Sequence, residues 1–335
     1  MARGLGKKVE VSRFFITGGL GFVGSAIARR LLKEGAKEIV LFDLKGELTR
    51  VLQEEKGKER LRIFRGDITD KERVREAMVG CDYVFHEAAL RVTQCAKEPR
   101  LAHEVMVDGT FNVAEACVEN KVKKVIFASS AIVYGQPLRL PLDEEHPLQD
   151  TTFYGIFKVA NERLFRSFKE QWGLPCVGLR YFNIYGPGMN LFGPETEVLV
   201  RWLDRLDEGL PPLIFGEGKQ TLDWIYIDDI AEANWLALLS EESGEVFNAC
   251  TGRETSISEL LSHLLSLRGS KLKPEFREGR AVNQVPRRFG STEKAKKRLD
   301  FSTRVSLEDG LKEFAQWRDS ILAEKGLRRE EHQIL

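Results

Sequence analysis

The sequence predicts an α/β fold: a Rossmann-like doubly wound parallel sheet with a smaller C-terminal α/β substrate domain. Three observations carry this. The first half alternates short β-branched runs with longer amphipathic stretches, the pattern of parallel strands joined by crossover helices. Its first strand runs straight into a glycine-rich turn that opens a helix, "TGGLGFVGSAIARRLL". After Tyr181 the rhythm changes to loops rich in Gly and Pro, such as "YGPGMNLFGPE" and "GLPPLIFGEGKQ", around one helix and short strands.

Taken in order, the strand candidates are Arg13–Thr17, Glu38–Phe42, Leu61–Arg65, Tyr83–His86, Lys124–Ala128 and Cys176–Tyr181. Helical patterns fall between them at about 22–34, 70–79, 99–120 and 151–171. In the first helix Phe22, Val23, Ile27 and Leu31 share one face, with Arg29, Arg30 and Lys33 on the other. The segment "DWIYIDDIAEANWLALL" again reads as a strand followed by a helix. The expected division is therefore a dinucleotide-binding domain over 1–182, to which 222–252 partly return, and a substrate domain over 183–335. The charged tail "EKGLRREEHQIL" is expected to fray.

Composition narrows the function. The chain has 335 residues, 42% of them hydrophobic, which is enough to bury a sizeable core. With 51 Lys+Arg against 51 Asp+Glu there is no broad electrostatic footprint for nucleic acid or anionic lipid. Five cysteines, at 81, 95, 117, 176 and 250, lack metal-ligand spacing and read as reduced thiols. No long apolar run or signal-like start occurs. A cytoplasmic protein without a metal, nucleic-acid partner or membrane attachment is expected.

Gly18, Gly21 and Gly24 sit three apart where the first strand meets its helix. Small residues there let the backbone approach a pyrophosphate, whose charge is favoured by the helix N-terminus. Asp43 ends the second strand, where a carboxylate can bind ribose hydroxyls and would repel a 2′-phosphate, favouring NAD over NADP. Asp67, in "RGDITD", either reaches the adenine or makes a turn; spacing alone leaves both readings open.

The segment "VIFASSAIVYG" ends a strand with Ser129 and Ser130, and "TFYGIFKVANERLF" follows with Tyr154 and Lys158. Tyr and Lys at i and i+4 share a helix face. An ammonium near a phenol is expected to lower its pKa and make a proton-transfer group, with a nearby hydroxyl holding the same substrate oxygen.

Together these residues resemble the extended short-chain dehydrogenase/reductase superfamily, in its NAD-dependent sugar epimerase/dehydratase branch. The likeness runs through "TGGLGFVGS", "GDITD", "GTFNVAEAC", "SSAIVYG", "YGIFK", "LRYFNIYGP", "YIDDIAEA" and "SLEDGL". It implies a nucleotide-sugar 4-epimerase of the UDP-glucose/UDP-galactose type, with N-acetylated hexoses as further substrates. By this likeness Tyr154 is the base, Ser130 its partner, and Lys158 binds the nicotinamide ribose. Gly18, Gly21, Phe22, Val23, Gly24, Asp43, Asp67, Ile68, Ala88, Ala89, Arg91 and Ser129 would complete the cofactor site. Asn183, Phe215, Arg280 and Arg288 would meet the nucleotide sugar, residues 183–335 being its domain. The implied cycle oxidises the sugar at C4, rotates the 4-keto sugar and reduces its other face. A homodimer through the helices at 99–120 and 151–171 is also implied, with Phe111, Val118 and Phe165 on their outer faces.

Departures choose among branches. The resembling 4,6-dehydratases carry Asp-Glu after the active hydroxyl, and the decarboxylases a glutamate at the second of these positions. Here Ala131 and Ile132 follow Ser130, and neither transfers a proton. Uronate 4-epimerases have Thr where this chain has Asn183, and an arginine near Asn190. Leu222 stands where epimerases have an arginine on the diphosphate, and Met106 where an asparagine is frequent. Arg287 and Arg288 fall near the gate of the sugar pocket; either one replaces the lost charge or recognises an unusual sugar, or the two are an exposed basic pair on a loop.

Overall fold

The computed structural model describes residues 9–193, 196–278 and 285–324. Arg280 and the C-terminal tail beyond 324 lie outside the described residues. The six predicted strands all form: β1 (Arg13–Thr17), β2 (Glu38–Asp43), β3 (Leu61–Arg65), β4 (Tyr83–His86), β5 (Lys124–Ser130) and β6 (Cys176–Tyr181). Shorter strands follow as β7 (Asn183–Tyr185), β8 (Leu213–Phe215), β9 (Thr221–Leu222), β10 (Trp224–Tyr226), β11 (Glu245–Ala249), β12 (Thr255–Ser256), β13 (Glu275–Arg277) and β14 (Arg287–Arg288).

The main sheet is seven-stranded and parallel, in the order β3-β2-β1-β4-β5-β6-β11. A parallel sheet is covered on both faces, which is why β1 and β2 read as unbroken apolar runs and not as alternations. Phe14, Ile16 and Leu41 enter one core beside Val177 and Phe247, while Phe15, Phe42, Val84 and Val125 enter the other.

The principal helices are α1 (Phe22–Lys33), α2 (Lys71–Met78), α3 (Gly109–Glu119), α4 (Phe153–Trp172), α5 (Val198–Asp207), α6 (Ile227–Leu239), α7 (Ile257–Leu267) and α8 (Leu307–Glu324). The expected helix over 99–120 is not uniform: residues 99–103 are α-helical, Glu104–Asp108 form a π turn, and α3 follows. At that turn the Leu90 N–H donates to Met106 Sδ (3.3 Å) and Thr110 Oγ1 donates to the Met106 carbonyl (2.7 Å). Side-chain bonding of this kind accompanies departures from the regular ladder.

The later chain divides its packing. Ile230, Ala233, Trp235 and Leu238 of α6 join the core of the main sheet, as do Ala295, Leu299 and Phe301. A separate core gathers Trp202, Leu260, Leu264 and Phe314 from α5, α7 and α8. The fully buried Arg318 closes that unit by pairing with Asp204 and Asp207 of α5. All five cysteines are buried and free. Among the described residues, no helix is long and apolar enough to cross a membrane.

Candidate active site

The strand order reverses between β1 and β4, and open α/β sheets bind ligands at that switch point, outside the carboxyl ends of the strands. Gly18 lies there in the left-handed region (φ 63°), and a Cβ on it would stand 2.9 Å from the Ala88 nitrogen at the end of β4. A Cβ on Gly24 would stand 2.2 Å from the Gly18 oxygen, so helix and loop meet only because both residues lack side chains. Gly21 caps α1 without a side-chain oxygen, which leaves the first N–H groups of the helix, from Phe22, Val23 and Gly24, for an anion.

Asp43 ends β2 beside this loop. Its carboxylate accepts from Leu20 N (3.0 Å) and Lys45 N (3.1 Å), which fixes it at the mouth of the crevice with acceptor capacity to spare. The Lys45 side chain is exposed. Asp67 makes the turn its spacing allowed, accepting from Thr69 N at 2.9 Å. Ile68 is buried, with its carbonyl held by Asn112 Nδ2 at 3.0 Å. Ala88 N donates to Thr17 Oγ1 (3.2 Å), Ala89 is exposed, and Arg91 reaches Glu197, the N-cap of α5, at 3.8 Å.

β5 ends on Ser129 and Ser130, which point to opposite faces. The Ser129 hydroxyl donates to Glu162 Oε1 (2.5 Å) and is buried, so its side chain faces the protein interior and not the cleft, contrary to expectation. Ser130 Oγ accepts from Ile132 N (3.2 Å) and lies near enough to the Tyr154 phenol to favour its ionisation. Thr152 caps α4 by accepting from Gly155 N at 3.1 Å, which sets the first turn and aims Tyr154 at Ser130. One turn on, the buried Lys158 donates to the Ala128 carbonyl at 2.8 Å, with Nζ 5.8 Å from the centre of the Tyr154 ring.

The electrostatics correct one expectation. Burial pushes the Tyr154 phenol up to about 12, because the phenolate loses hydration that the nearby Ser130 hydroxyl only partly replaces. Burial likewise draws Lys158 down to about 8, opposed by the Glu87 carboxylate. The phenol is thus not brought toward neutral pH: burial is the largest influence on it.

The substrate side is built from short strands. Asn183, on β7, donates through Nδ2 to the Asp223 carbonyl (3.1 Å) and is half-buried beside β10. Phe215 ends β8, its carbonyl held by Gln220 Nε2 at 3.0 Å. Arg287 and Arg288 are not a solvated loop: they form β14, in register with Thr221 and Leu222. Arg287 is exposed and doubly bonded to Glu254 (2.6 Å), whereas Arg288 is buried beside Asp150.

Four groups escaped the sequence reading. Glu87 follows β4 into the cleft; the signal was its place at the carboxyl end of a strand. The Tyr181 phenol donates to Glu87 at 3.1 Å, and the buried Asn234 donates to that phenol at 2.8 Å. Asp223, fully buried, collects Thr251 N, Thr251 Oγ1 and Gly252 N at 2.7–2.9 Å and so orders the strand before β10.

A doubly wound sheet with this glycine cradle and a Ser, Tyr and Lys at its carboxyl edge defines a dinucleotide-dependent enzyme of the extended short-chain dehydrogenase type. Residues 14–250 match the NAD dependent epimerase/dehydratase family, and the chain belongs to it. It is 33% identical over 318 residues to a UDP-N-acetyl-alpha-D-glucosaminuronate decarboxylase of Bacillus cytotoxicus, covering 91% of this chain and 97% of that protein. It is 30% identical over 302 residues to a UDP-glucose 4-epimerase of Mycolicibacterium smegmatis, covering 89% and 96%. Among solved structures, the UDP-glucose 4-epimerase of Thermotoga maritima with UDP-glucose superposes with a TM-score of 0.86 at 29% identity, over 92% of this chain and 99% of that one. The protein is thus an enzyme of the nucleotide-sugar epimerase/dehydratase family, and its cofactor is NAD. The residues present fit that cofactor: a cradle that any Cβ would fill, an uncapped helix N-terminus and a fixed carboxylate at the end of β2.

Proposed function

We propose that this enzyme is a UDP-hexose 4-epimerase acting through a 4-keto sugar. The observation that carries the reading is the grouping of Ser130, Tyr154 and the buried Lys158, with Nζ 5.8 Å from the Tyr154 ring centre, and the Ala131 and Ile132 that follow Ser130 in the chain. That set removes and returns one proton at one sugar oxygen and holds no second acid or base for eliminating water. Bound NAD supplies the hydride acceptor and donor. In its ionised form, which the Lys158 ammonium and the positive charge of oxidised NAD favour against the effect of burial, Tyr154 takes the C4-hydroxyl proton; Ser130 holds the same oxygen, and the Ala128 carbonyl fixes Lys158 in place. The decarboxylase among the relatives does not displace this reading, since Ile132 has no proton to move.

The test is incubation with UDP-galactose or UDP-glucose and chromatography of the products. Interconversion without net consumption of NAD is the expected result. A product lighter by one water, or decarboxylation of a UDP-uronate with no hexose turnover, would replace the reading. Tyr154→Phe should retain NAD and lose at least ~100-fold in turnover, the usual share of a positioned acid/base group. A near-normal rate would remove Tyr154 as the base.

A further inference from the structure

We propose that Glu87 is a positioning residue that supplies the cleft's counter-charge to the oxidised nicotinamide, giving the apoprotein a preference for NAD⁺ over NADH. The inference rests on the cofactor assignment and not on the sugar reading. Glu87 is held from both ends. Its backbone N–H donates to the Thr17 carbonyl and to Thr17 Oγ1, each at 3.2 Å, which locks it at the β1/β4 switch point one residue before Ala88. Its carboxylate receives the Tyr181 phenol at 3.1 Å to Oε1 and 3.2 Å to Oε2. That phenol is itself fixed by Asn234, which is fully buried and also donates to the Ile230 carbonyl at 2.9 Å. Three elements, β4, β6 and α6, thus converge to hold one carboxylate in a half-buried position at the crevice.

The proposed proton transfer at Tyr154 does not use this group. A carboxylate kept from water is costly unless something nearby needs its charge. The ionisable groups around it are Lys158 and Tyr154 from α4, Tyr181 from β6, and, through Lys158, Cys95, His86 and Glu162. Only Lys158 is a cation, and its ammonium is already committed to the Ala128 carbonyl. Burial raises the Glu87 carboxyl to about 8, so beside Lys158 alone it is mostly protonated at neutral pH, and it carries its charge above about pH 8 or when a further cation comes close. The oxidised nicotinamide ring carries a positive charge that the reduced ring lacks, so a carboxylate beside Lys158 and Tyr154, the pair assigned to that end of the cofactor, would favour the oxidised form. An epimerase must take its hydride back on every turn, and this bias keeps the resting enzyme loaded with NAD⁺.

The experiment measures NAD⁺ and NADH affinities of the NAD-free protein by calorimetry, without sugar, for wild type, Glu87→Gln and Glu87→Asp. At pH 9, where Glu87 is ionised, the ratio Kd(NADH)/Kd(NAD⁺) should fall about 10-fold in Glu87→Gln, the order expected for one unit charge at short range in an intermediate dielectric. Glu87→Asp should restore most of it. Tyr181→Phe, which loosens the carboxylate without neutralising it, should lie between and serves if Glu87→Gln does not fold. An unchanged ratio in Glu87→Gln and in Tyr181→Phe, or equal weakening of both cofactors, overturns the proposal. Because no sugar is present, that outcome leaves the epimerase reading untouched.

Discussion

At the scale of single residues, Arg288 separates the two readings its sequence position left open. It stands opposite Leu222 in a parallel register, so both side chains leave the same face of adjoining strands. Arg288 is buried next to Asp150, one strand away from Leu222, and we expect it to supply the cation missing there. Arg288→Ala should weaken UDP-sugar binding by ~10-fold or more, the order of one charge-assisted contact; titration calorimetry with an unchanged Kd would return Arg288 to a structural role. His86 yields a pH prediction. Its ring lies between Thr17 Oγ1 (2.7 Å) and Thr110 Oγ1 (3.0 Å), and burial draws its pKa down to about 3. Folded protein therefore keeps His86 neutral where the unfolded chain, with an ordinary pKa of about 6.5, takes up a proton. Stability from this group is complete above about pH 6.5 and is lost as the pH falls toward 3, at up to ~1.4 kcal/mol per pH unit. In urea titrations His86→Gln should show a shallower loss between pH 6 and 4 than wild type. Both residues were visible in the sequence, but their roles were not, because exposure and cross-strand register are tertiary facts.

At the scale of elements, what the sequence made legible is what local chemistry determines. β1, β3, β4 and β6 have their predicted bounds because a buried parallel strand is a short β-branched run between turn residues. The glycine turn, Asp43 and the Tyr154–Lys158 face of α4 were legible for the same reason, as spacing within one strand–turn–helix unit. The polar ties between elements were not. Arg180 of β6 grips Glu162 of α4 through two bonds of 2.9 and 2.8 Å, and Glu162 also takes Ser129. Arg180 then donates to the Tyr134 phenol (3.0 Å), which donates to Asn248 of β11 (2.6 Å). These partners are far apart in the chain, and no periodicity announces them. The network carries its own prediction. Glu162→Ala leaves a buried guanidinium without its carboxylate and should cost about 3 to 5 kcal/mol, whereas the double change Glu162→Leu with Arg180→Met should cost much less. Chemical denaturation of the two variants distinguishes them; equal losses in the single and double variants would mean that packing, not charge, sets the cost.

At the scale of the molecule, the same α4 that presents Tyr154 to the cleft carries an apolar outer stripe. Phe165, expected on that stripe, is instead fully buried: its ring stacks on Phe127 of β5 with centroids 4.4 Å apart. The exposed apolar residues are Phe153, Ile156 and Trp172 on α4 and Phe111 on α3. Phe111 and Trp172 both pack on Phe168, with ring centroids at 5.3 and 4.7 Å, which joins α3 to the C-terminal end of α4. Large apolar side chains gathered on adjacent helices mark an association surface, and two helices from each of two copies cover each other as a four-helix bundle. The expected state is a homodimer, and light scattering should give twice the chain mass of 38.1 kDa. Ile156→Lys with Phe111→Lys should give the mass of one chain while the far-ultraviolet spectrum stays native, since both side chains already face solvent within the single chain. The stripe begins at the first turn of α4, where Thr152 sets the helix that aims Tyr154. Dissociation should therefore reduce turnover more than it reduces NAD binding. A monomeric wild type, or a lysine variant that stays dimeric, would show that this face does not join the two copies.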